Sequence, residues 1–109
     1  MTQPSPQPII EGQRQNWNGV AGGWEKWDRF FDEQTASLDH RLVADARLPP
    51  NMRVLDLGSG TGYPTILAAQ TVGLSGSVAG IDLAEQMLPV AARKETRLAS
   101  PTSPFALVT

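Results

Sequence analysis

The segment from Val54 to Pro64, VLDLGSGTGYP, places three glycines at alternate positions directly after a short apolar run. Glycine lacks a Cβ atom, so it lets the backbone turn tightly and lets another group approach the main chain closely. The run 53–57 predicts a buried strand, and TILAAQTV at 65–72 predicts a helix. The proline suits the first turn of that helix, where an N–H has no intrahelical acceptor. The segment therefore predicts a strand, a glycine loop and a helix in succession.

The residues after this segment continue the alternation of strands and helices. Strands are predicted at 78–82 and 105–109, and a helix at 85–98. Pro89 lies inside the pattern of that helix, so we expect the helix to start late or to bend. The order strand, helix, strand, helix, strand is typical of a parallel sheet with right-handed crossovers. The predicted fold class is α/β.

The residues before the glycine loop divide into two parts. Residues 1–10 hold three prolines among polar residues and predict a flexible tail. Residues 11–50 predict one long helix or two, because apolar side chains recur at helical spacings, and the Gly22-Gly23 pair would form a flexible entry. The polar residues of this segment would form its solvated face: Asp28, Arg29, Asp32 and Glu33. Residues 51–109 form the third segment, an α/β unit.

Length and composition exclude several classes of protein. At 109 residues the chain is one domain or part of one. A net charge of −2 argues against a nucleic-acid-binding surface, and the lack of cysteine excludes thiolate metal sites. The N-terminus has no signal-peptide pattern, and no apolar run is long enough to span a membrane. We therefore expect a cytoplasmic protein without a bound metal.

The spacing of the glycines and the acids around them discriminates between two classes of nucleotide ligand. A dinucleotide fingerprint, G-x-G-x-x-G, needs a small third position, and counting from Gly58 that position is Tyr63. Asp56, at the end of the strand, would repel a pyrophosphate but suits a ligand that carries an ammonium and a sulfonium. The charges therefore favour S-adenosylmethionine. Asp82, 20 positions after Gly62, is placed to accept hydrogen bonds from ribose hydroxyls in either class.

Residues 17–95 resemble the N-terminal half of class I S-adenosylmethionine-dependent methyltransferases, in the ubiquinone/menaquinone biosynthesis branch. VLDLGSGTG at 54–62 and GIDLAEQML at 80–88 are similar to the first two motifs of that family, and WNGVAGGWEKW at 17–27 is similar to its N-terminal aromatic segment. The resemblance implies a Rossmann-like fold in which these residues contact the cofactor: Asp56, Gly58, Ser59, Gly60, Thr61, Gly62, Asp82 and Leu83. By position, Trp24 would cover the bound cofactor.

The resemblance also implies that the acceptor pocket is formed by later strands than those predicted here. We therefore expect the chain to be the cofactor-binding part of an enzyme acting on a small-molecule acceptor, truncated after strand three and inactive alone. No catalytic residue is predicted within it. In the family's sheet the first strand has a neighbour on both sides, so its open edge here would be a site for association.

Two alternatives remain open at this stage. One is a non-catalytic module that binds S-adenosylmethionine or S-adenosylhomocysteine, which the two motifs allow equally well. The other is an NAD-type nucleotide-binding module, which rests only on the glycines and Asp82.

Overall fold

The computed structural model describes residues 2–97 and 105–108. Its elements in chain order are α1 (Gln7–Lys26), α2 (Asp28–Ala46), β1 (Arg53–Leu57), α3 (Tyr63–Val72), β2 (Ser77–Ile81), α4 (Met87–Arg97) and β3 (Phe105–Val108). Helices come first, and strands and helices then alternate. The predicted α/β class, with N-terminal helices before a β-α-β-α-β unit, is confirmed.

The strands form one parallel sheet in the order β1-β2-β3. In the first pair, Arg53 lies opposite Ser77 and Leu57 lies opposite Ile81. Because the strands are parallel and in step, the loops that follow β1 and β2 leave the sheet at the same edge. Among the described strands, β1 is an outer strand, and association through its free edge stays a prediction.

The core lies between one face of the sheet and α3. Its buried members are Ala68, Ala69, Val72 and Val78, with Leu48 and Val54 packed against them. On the opposite face of β1, the side chains of Leu55 and Leu57 are 56% and 73% exposed. Strands of parallel sheets are commonly covered on both faces. Within the described residues, only one face of β1 is covered.

Helix α1 docks on the start of α4 and the residues just before it through a second apolar cluster of Ala21, Ala84 and Met87, against which Trp24 packs. Polar contacts join the same elements: Arg14 Nε donates to the Leu83 carbonyl at 3.4 Å, and the Gln86 N–H donates to Asn18 Oδ1 at 3.0 Å. The location of α1 beside the glycine loop therefore rests on contacts with residues far along the chain.

The observed bounds of the N-terminal helices correct two expectations for this segment. The helix begins at Gln7, so the helical segment starts before residue 11 and residues 7–10 of the predicted tail are helical. Gly22 and Gly23 lie inside α1 and are not a flexible entry, and the chain instead interrupts its helix at Trp27. Local propensity failed here because tertiary packing overrides it.

The helix with an internal proline starts late, as expected from its sequence. It begins at Met87 rather than at residue 85, which places Pro89 in the first turn. A first-turn proline is tolerated because its missing N–H would have no partner within the helix.

None of the helices in residues 2–97 has the length and apolar character needed to cross a bilayer. The 20-residue α1, for example, carries Glu11, Arg14, Glu25 and Lys26. In the same described part of the chain, no three His, Asp or Glu side chains are grouped closely enough to hold a metal ion.

Candidate functional site

A cavity of about 550 Å³ opens at the carboxyl ends of β1 and β2. This volume is in the range of small-molecule sites, which commonly lie at this edge of open α/β sheets. The residues that line it come from α1, the glycine loop, the segment after β2 and the first turns of α3 and α4: Trp17, Trp24, Gly58, Ser59, Gly60, Thr61, Pro64, Asp82, Leu83 and Met87. Seven of the nine residues predicted to contact a cofactor are in this lining, while Asp56 and Gly62 are not.

The glycine loop bares its backbone at two positions of the cavity. Gly58 and Gly60 have φ angles of +71° and +55°, in the left-handed region that favours glycine. A Cβ atom at Gly58 would meet nothing within 4 Å, and one at Gly60 would meet only the Gly58 carbonyl oxygen at 4.0 Å. The main chain at these two glycines is therefore free to be approached by a ligand.

Gly62 has a different function from the other two glycines of the loop. Its φ angle is +89°, and a Cβ atom there would lie 2.8 Å from the Ala91 Cβ of α4. The third glycine therefore allows α4 to pack closely against the start of α3. The sequence correctly predicted that this position needs a glycine. In the structure, the reason is the close packing of Ala91 against Gly62.

Asp82 connects the segment after β2 to the glycine loop. Its Oδ2 accepts a hydrogen bond from the Gly60 N–H and its Oδ1 accepts one from the Ala84 N–H, both at 2.8 Å. A carboxylate oxygen has more than one lone pair, so both oxygens can also accept hydrogen bonds from a ligand. Asp82 therefore holds the loop in shape and still presents its carboxylate to the cavity.

Replacing Asp82 by Asn is expected to loosen the glycine loop. An amide side chain has one acceptor oxygen, so one of the two backbone N–H groups loses its partner. Because hydrogen bonds to charged groups contribute about 1.5–3 kcal/mol, we expect the free energy of unfolding to fall by roughly that amount. Urea denaturation measures this change. Asp39→Asn, which removes a carboxylate contact of Thr35 on the exposed part of α2, serves as the control and should have a much smaller effect.

Asp56 lies beside the loop and is engaged within the protein. Its Oδ2 accepts a hydrogen bond from the Thr65 hydroxyl at 2.5 Å, and Thr65 is fully buried. The carboxylate therefore ties the end of β1 to the first turn of α3. Contact between Asp56 and a ligand ammonium stays a prediction.

Ser59 is a buried polar residue of the cavity lining. It is 6% exposed, and its Oγ has no hydrogen-bond partner among the described residues. A buried hydroxyl without a partner is unfavourable by about 1–3 kcal/mol, so such groups are rare in folded proteins. An occupant of the cavity that offers a polar atom would satisfy this hydroxyl.

Two tryptophans of α1 line the cavity together with the residues of the glycine loop. Trp24 was predicted there, whereas Trp17, which is 45% exposed, was not. The two are seven residues apart and so lie on one face of the helix, which is the signal that sequence reasoning missed. The Trp24 ring also packs against Phe31 of α2, with 4.4 Å between the ring centroids.

A buried ion cluster lies behind the glycine loop. The Lys94 side chain is 1% exposed, and its Nζ lies 2.7 Å from Asp28 Oδ1, 3.0 Å from Asp32 Oδ2 and 3.2 Å from Thr61 Oγ1. Its ammonium also lies 5.7 Å from the centroid of the Tyr63 ring. The cluster thus joins α2, α4 and the loop.

The expectation of a solvated face is wrong for Asp28, which is 5% exposed. Partial burial raises the pKa of Asp32 above its ordinary value, while the hydrogen bond and charge of Lys94 oppose that rise. The sequence carries one signal for this cluster: the two acids are four residues apart, and Lys94 falls on the face of α4 that also presents the buried Val90 and Ala91.

Comparison with known proteins identifies the family to which the chain belongs. A family model described as a methyltransferase domain matches residues 48–101, which include the loop, Asp82 and Lys94. The structure of a SAM-dependent methyltransferase from Aquifex aeolicus superposes with a TM-score of 0.52 at 29% identity, over 60% of this chain and 35% of that chain. The chain belongs to the S-adenosylmethionine-dependent methyltransferases.

Other methyltransferases cover the same part of the chain. A demethylmenaquinone methyltransferase of Symbiobacterium thermophilum is 39% identical over 74 residues, which are 68% of this chain and 25% of the relative. An arsenite methyltransferase of Aquipseudomonas alcaligenes is 52% identical over 50 residues, 46% of this chain and 14% of the relative. A protein-L-isoaspartate O-methyltransferase structure superposes with a TM-score of 0.54 at 29% identity, over 67% of this chain and 23% of that one. The chain therefore spans a quarter or less of the length of these three proteins.

Proposed function

We propose that this chain binds S-adenosylmethionine in the cavity at the sheet edge, as the cofactor-binding part of a methyltransferase that acts on a small-molecule acceptor. One arrangement carries the proposal: the open backbone at Gly58 and Gly60 lies directly beside the Asp82 carboxylate. Bare main chain admits a ligand closely, and a carboxylate next to it accepts hydrogen bonds from ribose hydroxyls.

The charge of the cavity supports a cationic ligand over a pyrophosphate. Among the described residues that line it, the only ionisable side chain is that of Asp82. A dinucleotide would bring two negative phosphates to this acid without a lysine or arginine in the lining to balance them. S-adenosylmethionine has instead a sulfonium and an ammonium, which a carboxylate attracts.

The other lining residues have roles that follow from their chemistry. The exposed Leu83 offers an apolar surface for the adenine ring, and the unpaired Ser59 hydroxyl offers a hydrogen bond to the amino-acid end. Trp17 and Trp24 would cover the ligand from α1, where aromatic faces attract a cation. Asp56 would attract the ligand ammonium from the end of β1.

The bound cofactor supplies an activated methyl group, and the protein around it mainly supplies position. Correct positioning of two reactants lowers a barrier by up to about 7–11 kcal/mol in favourable cases. We assign no general base in the cavity, because Asp82 already accepts two backbone N–H groups. The residues that line the cavity would therefore hold the cofactor in position.

Calorimetric titration of the chain with S-adenosylmethionine and S-adenosylhomocysteine tests this proposal. We expect both ligands to bind with one site per chain, and NAD to displace neither. A folded sample that binds neither ligand would contradict the proposal, and displacement by NAD would favour a dinucleotide-binding module.

Two of the three tryptophans, Trp17 and Trp27, provide a matched pair of variants. Trp17→Ala is expected to weaken binding of S-adenosylhomocysteine about fivefold, because an aromatic cover contributes roughly 1 kcal/mol to a ligand of this type. Trp27→Ala is the control, since Trp27 is 54% exposed and does not line the cavity. Calorimetry on both variants measures the difference. Equal affinities of the two variants would show that Trp17 does not contact the ligand.

A further inference from the structure

The glycine loop has few hydrogen-bond donors left for a ligand. The Gly58 and Ser59 N–H groups both donate to a carbonyl oxygen at the end of β2, at 2.8 and 3.0 Å. The Gly60 N–H donates to Asp82 and the Gly62 N–H donates to the Ser59 carbonyl. Four backbone amides of the loop are therefore engaged within the protein and cannot each offer a full bond to an incoming anion.

The Thr61 hydroxyl is still available as a hydrogen-bond donor to a ligand. Its contact with Lys94 sets the direction in which it donates. A lysine ammonium has three donor hydrogens and no acceptor, so in the 3.2 Å contact between Lys94 Nζ and Thr61 Oγ1 the threonine oxygen must accept. The single hydroxyl hydrogen of Thr61 is then available to another acceptor. Thr61 lines the cavity, so an acceptor on a bound ligand meets this requirement.

The ammonium is itself held firmly. Lys94 is 1% exposed and contacts carboxylates of Asp28 and Asp32 on α2, and breaking such buried contacts is expensive in free energy. The lysine therefore cannot turn away from Thr61 without losing both acids. The position of the Thr61 hydroxyl depends in this way on α2, an element that does not line the cavity.

We infer that Lys94 is a positioning residue for the carboxylate of the amino-acid end of the cofactor, because it fixes the Thr61 hydroxyl as a hydrogen-bond donor to the cavity. The inference rests on the proposed function, since it concerns the same ligand. It adds Lys94, which lies outside the cavity lining, to the residues that determine cofactor binding. It also gives the orientation of the bound ligand, whose carboxylate faces Thr61 while its ribose faces Asp82.

Two ligands that differ only in the amino-acid end test this direction. S-adenosylhomocysteine has the carboxylate, whereas 5′-methylthioadenosine lacks the whole amino-acid group. Thr61→Val removes the donor, and we expect it to weaken S-adenosylhomocysteine binding about tenfold, the effect of one hydrogen bond to a charged group. Binding of methylthioadenosine should stay within about twofold of wild type by the same reasoning, and Thr61→Ser should restore the affinity for S-adenosylhomocysteine.

The role of Lys94 is tested with a charge-neutral variant, Asp28→Asn/Asp32→Asn/Lys94→Met, in which no buried charge is left without a partner. We expect the same selective loss of S-adenosylhomocysteine affinity, and no further loss when Thr61→Val is added, because the two changes act through one hydroxyl. Arg93→Met is the matched control on the same helix, since that side chain is 60% exposed and pairs with Glu25.

The outcomes separate this inference from the proposed function. If wild-type protein binds neither ligand, the proposed function fails. If wild type binds both but Thr61→Val binds S-adenosylhomocysteine equally well, the inference fails and the function stands, whether or not the neutral triple variant folds. Equal losses for both ligands in the triple variant, or losses that add to those of Thr61→Val, would show that Lys94 does not act through the Thr61 hydroxyl.

Discussion

Replacing Gly62 by Ala is expected to lower the free energy of unfolding by about 2–6 kcal/mol. The backbone there has φ of +89°, a conformation that adds roughly 1–3 kcal/mol of strain for a residue with a Cβ. The new Cβ would also lie 2.8 Å from Ala91 Cβ and 3.4 Å from Ala91 Cα, and such overpacking adds roughly 1–3 kcal/mol. Urea denaturation followed by circular dichroism measures the change.

Two further variants separate the two causes. Gly58→Ala has a similar φ of +71° but no atom within 4 Å of the new Cβ, so it should show the strain without the clash. Adding Ala91→Gly to Gly62→Ala removes the clashing methyl, and a favourable coupling between the two changes is expected in a double-mutant cycle. Equal losses for Gly58→Ala and Gly62→Ala would mean that α4 does not approach the loop closely.

Replacing Lys94 by Met is expected to destabilise the protein by about 3–5 kcal/mol. The change removes the ammonium from the buried carboxylate of Asp28 and from Asp32, and an uncompensated buried charge is strongly unfavourable. Folded proteins are stable by only about 5–15 kcal/mol, so a large part of the total would be lost. Thermal denaturation of the variant beside wild type measures this effect.

The neutral triple variant of Lys94, Asp28 and Asp32 is the control for the charge. Replacing a whole buried ion cluster by neutral groups is often harmless or even stabilising, so we expect most of the lost stability to return. Arg93→Met breaks an ion pair that is exposed to solvent and should have little effect, because exposed pairs contribute little. A triple variant as unstable as Lys94→Met would show that the lysine stabilises the fold through packing of its stem.

The sequence predicted the site best where the chemistry is local. β1 has the predicted bounds at 53–57, and the loop after it bares its backbone at Gly58 and Gly60. Strand, glycine loop and helix follow one another directly, so spacing and residue type are sufficient to identify them. Asp82 was located for the same reason, since it directly follows β2, the strand that pairs with β1.

The expectations that failed depend on contacts between distant parts of the chain. The helix at 7–26 was predicted to begin later, because nothing in its local composition shows that Arg14 and Asn18 meet the residues around Leu83. Trp17 was not predicted to line the cavity, although its seven-residue spacing from Trp24 places both on one face of the helix. Helix propensity is a weak signal that tertiary packing overrides.

By itself, the sequence determined the class of fold and the location of the glycine loop, and its charges favoured one class of ligand, because turn chemistry and charge act over a few residues. Only the tertiary structure decided that Gly62 serves packing against Ala91 and that Lys94 joins Asp28 and Asp32 to Thr61. Those residues are separated by up to 66 positions in the chain, from 28 to 94. Their effect depends on atoms within about 3 Å of one another, a distance that only the packed helices create.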